Sequence, residues 1–450
     1  MNTSSIDLIE NLSFCVIDLE TTGGNHQTDR IIEIGLVKIK KLKIVEKKSI
    51  LINPQIAISD FIQKLTGIRQ RDVEKAPIIE DVLQEVVAFI DTDVLVAHNI
   101  SFDIPFLNAV LAKHQYPQLT NKVLCTNVMT KHLIPEIMNS NLNYMSKLFS
   151  IEHNKAHRAQ DDALATAELL IRYLEIFIIK NIRKINQIYY PRNKFELDRV
   201  NFTNSEENQK AILELCHKKD SPLYLILKGH KGIILGTLPI ESPPNELMAI
   251  KEFLSLVDWE VCTIKLTGQI VDGLLYFNNH LTKYNIELKD FTIAHLKKRY
   301  LSENQLESES KSELELNTNP IVSYEEIDFI VTPHLIEEQL AIYPLFSMSQ
   351  GTRFIFKYPG HKRKMLQYLH SKMNYIVQHN INLNKKKNPV DQSLDEIFKS
   401  ILSNVDPAHQ RQFMMINQKD LLGNEEKLFQ RLDIFTSSIR RKFKFPSNYL

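Results

Sequence analysis

Asp18 and Glu20 stand two residues apart at the end of the apolar run LSFCVIDLE, residues 12–20. Side chains at i and i+2 of a strand share a face, so the spacing forces two carboxylates together. No lysine or arginine stands near them in the chain. Like charges at such range repel and raise a carboxyl pKa unless a cation intervenes. Hard divalent cations with oxygen ligands are the natural solution. Thr21-Thr22-Gly23 follows at once and reads as a tight turn that brings hydroxyls and backbone N–H groups next to the metals. A third acid, Asp103 in HNISFD (98–103), opens an expected helix after the apolar run 94–98. A carboxylate there is stabilised by the helix N-terminus. His157 and Asp162 belong to HRAQDDA (157–163), at the start of a long helical pattern. A histidine with a pKa near neutrality takes a proton from water near working pH. Asp161 competes with Asp162, but the stripe Leu164, Ala167, Leu170 and Ile171 puts Asp162 nearer the buried side of the helix. The three motifs together predict a two-metal phosphodiesterase centre with a histidine base.

The elements that must hold these residues follow from periodicity. Strands are expected at 12–20, 31–39 and 43–52, the last two joined by a tight basic turn at Lys40 and Lys41. A helical pattern covers 80–90, a short strand 94–98, and helices follow near 103–114, 141–149 and 159–178. Asn99 and Ser101 suit a helix cap, and His98, ending a strand, reads as structural. Strands first, then strand and helix in alternation, give an α/β fold with a mixed sheet flanked by helices.

These motifs resemble those of the DEDDh (DnaQ-like) 3′→5′ exonuclease family, which includes the proofreading epsilon subunits of bacterial DNA polymerase III. The resemblance covers about residues 10–178, and includes RIIEIG (30–35) and LTGI (65–68). It implies a ribonuclease H-like mixed five-stranded sheet. It also implies two divalent metal ions, Mg²⁺ or Mn²⁺. Asp18, Glu20 and Asp162 would hold one, Asp18 would also reach the second, and Asp103 would act mainly at the second. His157 would deprotonate the attacking water. The ions, expected about 3.5–4 Å apart, would stabilise the attacking and leaving oxygens of an in-line displacement. Backbone near Leu19 and Thr21 would meet the terminal 3′-hydroxyl, and Leu65 and Phe102 would wedge against the last bases. The implied product is a nucleoside 5′-monophosphate.

Bulk properties bound the rest. The chain has 450 residues, 43% hydrophobic and 24% charged, with a net charge of +1. Its length suits two or three domains, and its balance excludes a generic polyanion binder. Cys15, Cys125, Cys216 and Cys262 show no CxxC spacing, which argues against a zinc site or disulfide framework and fits a reducing, cytoplasmic setting. No signal peptide and no membrane span are expected.

The expected domains are an exonuclease domain at 1–180, an accessory α+β region at 181–301, an acidic linker at 302–320 and a basic α+β region at 321–450. The second half shows a hairpin signal, LYLIL and IILGTL around KGHKG (228–232), and an amphipathic helix at 245–257. Strand-like runs follow at 327–333 and 352–358, then helical patterns to the end. The linker SENQLESESKSELELNTNP carries five glutamates and one lysine. Residues 351–390 hold nine lysines and arginines, no acid, and Tyr358, Tyr368 and Tyr375 among them. Arg440, Arg441, Lys442 and Lys444 add to this. Positive charge interleaved with aromatics is the footprint of a strand-binding surface; a solvated helix face is the competing reading. The expected partner is a single-stranded nucleic-acid 3′ end, DNA favoured over RNA, in replication proofreading or repair. Residues 181–450 are where a replication or repair protein would dock. RNA 3′-end trimming and a non-catalytic scaffold are the alternatives.

Overall fold

The computed structural model describes residues 8–153, 157–189, 197–301, 329–344, 353–378, 394, 396–398, 400–401, 413–417, 420 and 425–439. The chain divides into two compact units, Met1–Glu196 and Leu197–Leu450.

In the first unit, β1 (Ser13–Thr21) is the central strand. Phe14 to Ile17 are all buried, as an unbroken apolar run demands when both faces of a sheet are covered. β2 (Ile31–Lys40) pairs with β1 antiparallel, and β3 (Lys43–Leu51) pairs with β2. The turn between β2 and β3 falls at Lys41 and Leu42, both at positive φ (50° and 56°), as tight hairpins require. Three helices follow: α1 (Asp60–Thr66), α2 (Gln70–Val73) and α3 (Ile79–Ile90). The chain then returns as β4 (Val94–Ala97), parallel to β1. α4 (Ile100–Lys113) crosses over to β5 (Val123–Cys125), parallel to β4. The sheet order is β3-β2-β1-β4-β5, the mixed five-stranded sheet expected from the sequence. α4 begins three residues earlier than expected, so Asp103 lies within its first turn.

α5 (Thr126–Leu133), α6 (Leu142–Leu148), α7 (Ala159–Ile179) and α8 (Ile185–Tyr189) complete the unit. Ile17, Leu19, Ile34 and Leu36 meet Leu83, Val86 and Phe106 in one core. α7 lies against β1 and β2, and Gly35 explains how closely. A Cβ at Gly35 would stand 2.0 Å from the carbonyl oxygen of Ala159, so only glycine lets the start of α7 approach the strand. The unit extends past residue 180, because the Ile9 N–H donates to the Arg183 carbonyl at 2.8 Å.

The second unit holds two four-stranded sheets, every adjacent pair antiparallel. One is ordered β6-β9-β7-β8: β6 (Arg199–Thr203), β7 (Leu223–Lys228), β8 (Ile234–Ile240) and β9 (Val261–Leu266). The β7–β8 hairpin is the one the sequence signalled. Its GHKG loop closes with the Gly229 N–H donating to the Ile233 carbonyl at 2.9 Å and with Gly232 at φ 75°. α9 (Glu206–His217), α10 (Leu247–Ser255), α11 (Ile270–Asn279) and α12 (Ile286–Tyr300) accompany it. The second sheet comprises β10 (Phe329–Pro333), β11 (Gln339–Pro344), β12 (Phe354–Lys357) and β13 (Met414–Ile416), in the order β12-β11-β10-β13. α13 (Lys362–Gln378) and α14 (Glu425–Ser438) belong with it. The expectation of helix to the chain's end is corrected here: β13 interrupts it, because MMI pairs with β10 and buries Met414 and Ile416. Strand order and helices together make this region α+β, as expected. The acidic segment 302–320 lies outside the described residues. So do Lys385, Lys386, Lys387, Arg440, Arg441, Lys442 and Lys444.

Candidate active site

Five of the sequence-selected residues converge at the end of β1. Asp18 and Glu20 project from the strand itself, two residues apart on either side of Leu19. Asp103, only 4% exposed, reaches β1 from α4, where its Oδ1 accepts the Leu19 backbone N–H at 3.1 Å. Asp162 stands in the first turn of α7. Ligand atoms of Glu20, His157 and Asp162 all lie within 4.8 Å of one another. His157 is exposed and sits at φ 64°, a left-handed conformation that costs a non-glycine residue about 1–2 kcal/mol. Its backbone N–H donates to Asp162 Oδ2 at 3.1 Å, which holds the turn over the carboxylates. Asp161 lies on the same turn, near Arg158.

The four expected substrate contacts are placed less uniformly. The Leu19 side chain is buried in the core, and its amide is engaged by Asp103. Thr21 is buried, and its hydroxyl donates to the Gly23 carbonyl at 2.6 Å, closing the turn. Leu65, on α1, is 40% exposed beside the still more exposed Phe61. Phe102 is partly buried on α4, tilted against Phe106 with ring centroids 5.7 Å apart. His98 is structural: its ring bonds the Thr126 hydroxyl at 2.9 Å and the Ser140 carbonyl at 2.7 Å.

Three residues near the site carried no assignment from the sequence. His153 is hydrogen-bonded through Nε2 to Asp162 Oδ1 and is nearly buried. It lies in an aperiodic stretch, so no spacing argument could have found it. Glu33, on β2, is paired in register with Glu20 and is fully buried. Arg158 meets Glu33 in a two-pronged ion pair. A charged residue between Ile32 and Ile34 was a visible signal, since buried acids need partners, but the partner lay 125 residues away.

The family model described as exonuclease matches residues 15–170. Residues 15–170 form an exonuclease domain. Over 241 residues the chain is 38% identical to the PolC-type DNA polymerase III of Caldanaerobacter subterraneus, covering 50% of this chain and 17% of that one. It is 32% identical over 186 residues to the 3′-5′ exonuclease DinG of Staphylococcus epidermidis, covering 41% of this chain and 21% of that one. The chain therefore spans about a fifth of the length of these relatives. Among solved structures it is similar to exonuclease X in complex with 5′ overhanging duplex DNA, at 28% identity and a TM-score of 0.30, covering 36% of this chain and 91% of that chain.

The exonuclease domain concentrates negative charge where water is scarce. Burial, then repulsion from Asp103, Asp162 and Glu20, holds the Asp18 carboxyl well above the usual range. Burial pushes Glu20 up to about 8, reinforced by Asp162, Glu33 and Asp103 and opposed by Arg158. Burial pushes Asp103 up to about 7 despite the Leu19 N–H it accepts. Each folded-state pKa is raised, so the stability these groups contribute is fully present below the ordinary carboxylate range. It is lost as pH climbs through 7 to 8. With metal removed by chelator, the melting temperature of the first unit should fall between about pH 4 and pH 8, and saturating Mn²⁺ should flatten that fall. Melts across pH, with and without the ion, check this; a metal-free melting temperature that rises over the window would contradict it.

Proposed function

We propose that this chain is a metal-dependent 3′→5′ exonuclease that releases nucleoside 5′-monophosphates, with DNA the favoured polymer and replication proofreading or repair the setting. The observation that carries the reading is the gathering of Asp18, Glu20, Asp103 and Asp162 with His157 at the end of one strand. The PolC-type DNA polymerase III relatives favour DNA.

The donor set fits two Mg²⁺ or Mn²⁺ ions. It offers carboxyl groups whose pKa values are held up by burial and mutual repulsion and would fall beside a cation, and the guanidinium on the same turn, Arg158, is committed to Glu33. Asp18, Glu20 and Asp162 would hold one ion, with Asp18 and Asp103 at the second. When bound, the ions supply charge stabilisation for the attacking and leaving oxygens at phosphorus. His157 takes the proton from the attacking water at a ring nitrogen, one of which lies within 4.8 Å of carboxylate oxygens of Glu20 and Asp162. Asp103 locks α4 to β1 through the Leu19 amide. Leu65 and Phe102 offer apolar surface to the last bases, and the turn at Thr21 lies next to the 3′-terminal sugar.

In this reading residues 1–180 do the chemistry, and the accessory regions 181–301 and 321–450, around the acidic 302–320 linker, hold the strand or a replication protein. α13 supports the strand-binding role. Arg363 and Lys364 are exposed in its first turn, where cations oppose the helix dipole and a phosphate would relieve them. Arg363, Gln367, His370, Ser371 and Lys372, with one acid, Glu425, line a cleft of about 820 Å³ beside it. In the full-length chain, replacing Arg363 and Lys364 with Gln should lower the salt dependence of single-strand binding by roughly 1.4 in log–log slope. Equal slopes would remove α13 from the binding surface. No helix among the described residues is long and apolar enough to cross a membrane, and the cytosol is the proposed location. The polymer is tested by degrading end-labelled single-stranded DNA, mismatched duplex and RNA side by side with Mg²⁺ or Mn²⁺. Faster loss of DNA supports the reading, and faster loss of RNA moves it to RNA 3′-end trimming.

A further inference from the structure

We infer that Glu33 and Arg158 form a single positioning unit that sets His157 and Asp162 for the reaction; this rests on the exonuclease reading above. Glu33 occupies an unlikely place for an acid. It is fully buried near the start of β2, between Ile32 and Ile34, and its ladder partner is Glu20. An apolar residue there would avoid both desolvation and repulsion. What the carboxylate provides instead is a set of four hydrogen bonds. Oε2 accepts Arg158 Nε at 3.0 Å and the Ala159 backbone N–H at 3.1 Å. Oε1 accepts Arg158 Nη2 and the Ser49 hydroxyl, each at 2.9 Å.

Ala159 is the first residue of α7, and the residue before it makes no side-chain cap. Helix starts need an acceptor for their unpaired N–H groups, and here a strand far off in sequence supplies it. The forked pair fixes Arg158 in both direction and distance. Its neighbour His157 is thereby held in the left-handed region, with its N–H on Asp162. The Asp162 amide in turn donates to the Arg158 carbonyl at 2.9 Å. One buried acid thus sets the entry of α7, the backbone of the base and the orientation of Asp162. Glu33 acts through Arg158 and Ala159.

The test uses the full chain, 3′-labelled single-stranded DNA and saturating Mn²⁺, with Glu33→Gln, Arg158→Ala, Arg158→Lys and the Glu33→Gln/Arg158→Ala double variant. Each single variant should lower kcat about tenfold to a hundredfold, with KM within about twofold of wild type. The double variant should be no slower than Arg158→Ala alone, because one unit is lost only once. The Arg158 side chain is 35% exposed, so added methylguanidinium should restore part of the Arg158→Ala turnover and leave wild type unchanged. Melts and Mn²⁺ binding at the assay temperature show which variants are folded. If Arg158→Ala is not, Arg158→Lys, which keeps the charge and loses the fork, decides with Glu33→Gln. Unchanged kcat in folded variants, or losses that multiply in the double variant, would overturn the inference. A wild-type chain without metal-dependent activity would instead overturn the exonuclease reading.

Discussion

Asp18→Asn should abolish exonuclease turnover, by about three orders of magnitude, while making the metal-free protein more stable at neutral pH. Both effects have one cause. Asp18 sits among Asp103, Asp162 and Glu20, and burial with their repulsion raises its pKa well above the ordinary range. A bound divalent ion would offset that cost, and a neutral amide removes the cost and the proposed ligand together. Asp162→Asn should remove activity equally but without the gain in stability. Its carboxylate accepts the His157 amide and is bonded to His153, contacts an amide cannot fully replace. End-labelled strand assays and melts in chelator separate the two outcomes. A variant that digests DNA at the wild-type rate would remove its residue from the site.

His157→Ala should lower kcat by about 10²–10⁴-fold, the usual worth of a positioned general base, and leave Mn²⁺ binding by the carboxylates largely in place. The backbone N–H that meets Asp162 survives the substitution, so the loss isolates the ring. Single-turnover rates across pH, with parallel Mn²⁺ titrations, measure both. Unchanged turnover would mean that another group takes the proton.

Much of the first unit was legible because its signals are local. β1 and β2 are near-continuous apolar runs, and the expected stripe of α7 is half right: Ala167 and Leu170 are buried, with Ala163 and Leu174 in place of Leu164 and Ile171. The two-residue step from Asp18 to Glu20 places both on one face whatever surrounds them. What escaped was short or distant. β5 has only three residues, and α1, α2 and α5 are too brief for a period to show. Glu33 could be noticed in RIIEIG, but its purpose depends on Arg158, which a sequence places far away. His153 reaches Asp162 by the path of a loop rather than by helical spacing. In the second unit, β9 lies between β6 and β7 in space although it follows both in sequence. Hairpin signals gave the β7–β8 pair but no such insertion. β13 is three residues of MMI, as compatible with a helix as with a strand until its partner β10 is known.

The central claim is tested most directly by identifying the first product from single-stranded DNA labelled at its 3′-terminal nucleotide. The account predicts a labelled nucleoside 5′-monophosphate, formed with Mg²⁺ or Mn²⁺, absent in chelator and absent for Asp18→Asn. Label released first as an oligonucleotide, or as a nucleoside 3′-monophosphate, or released equally well in chelator, would contradict it.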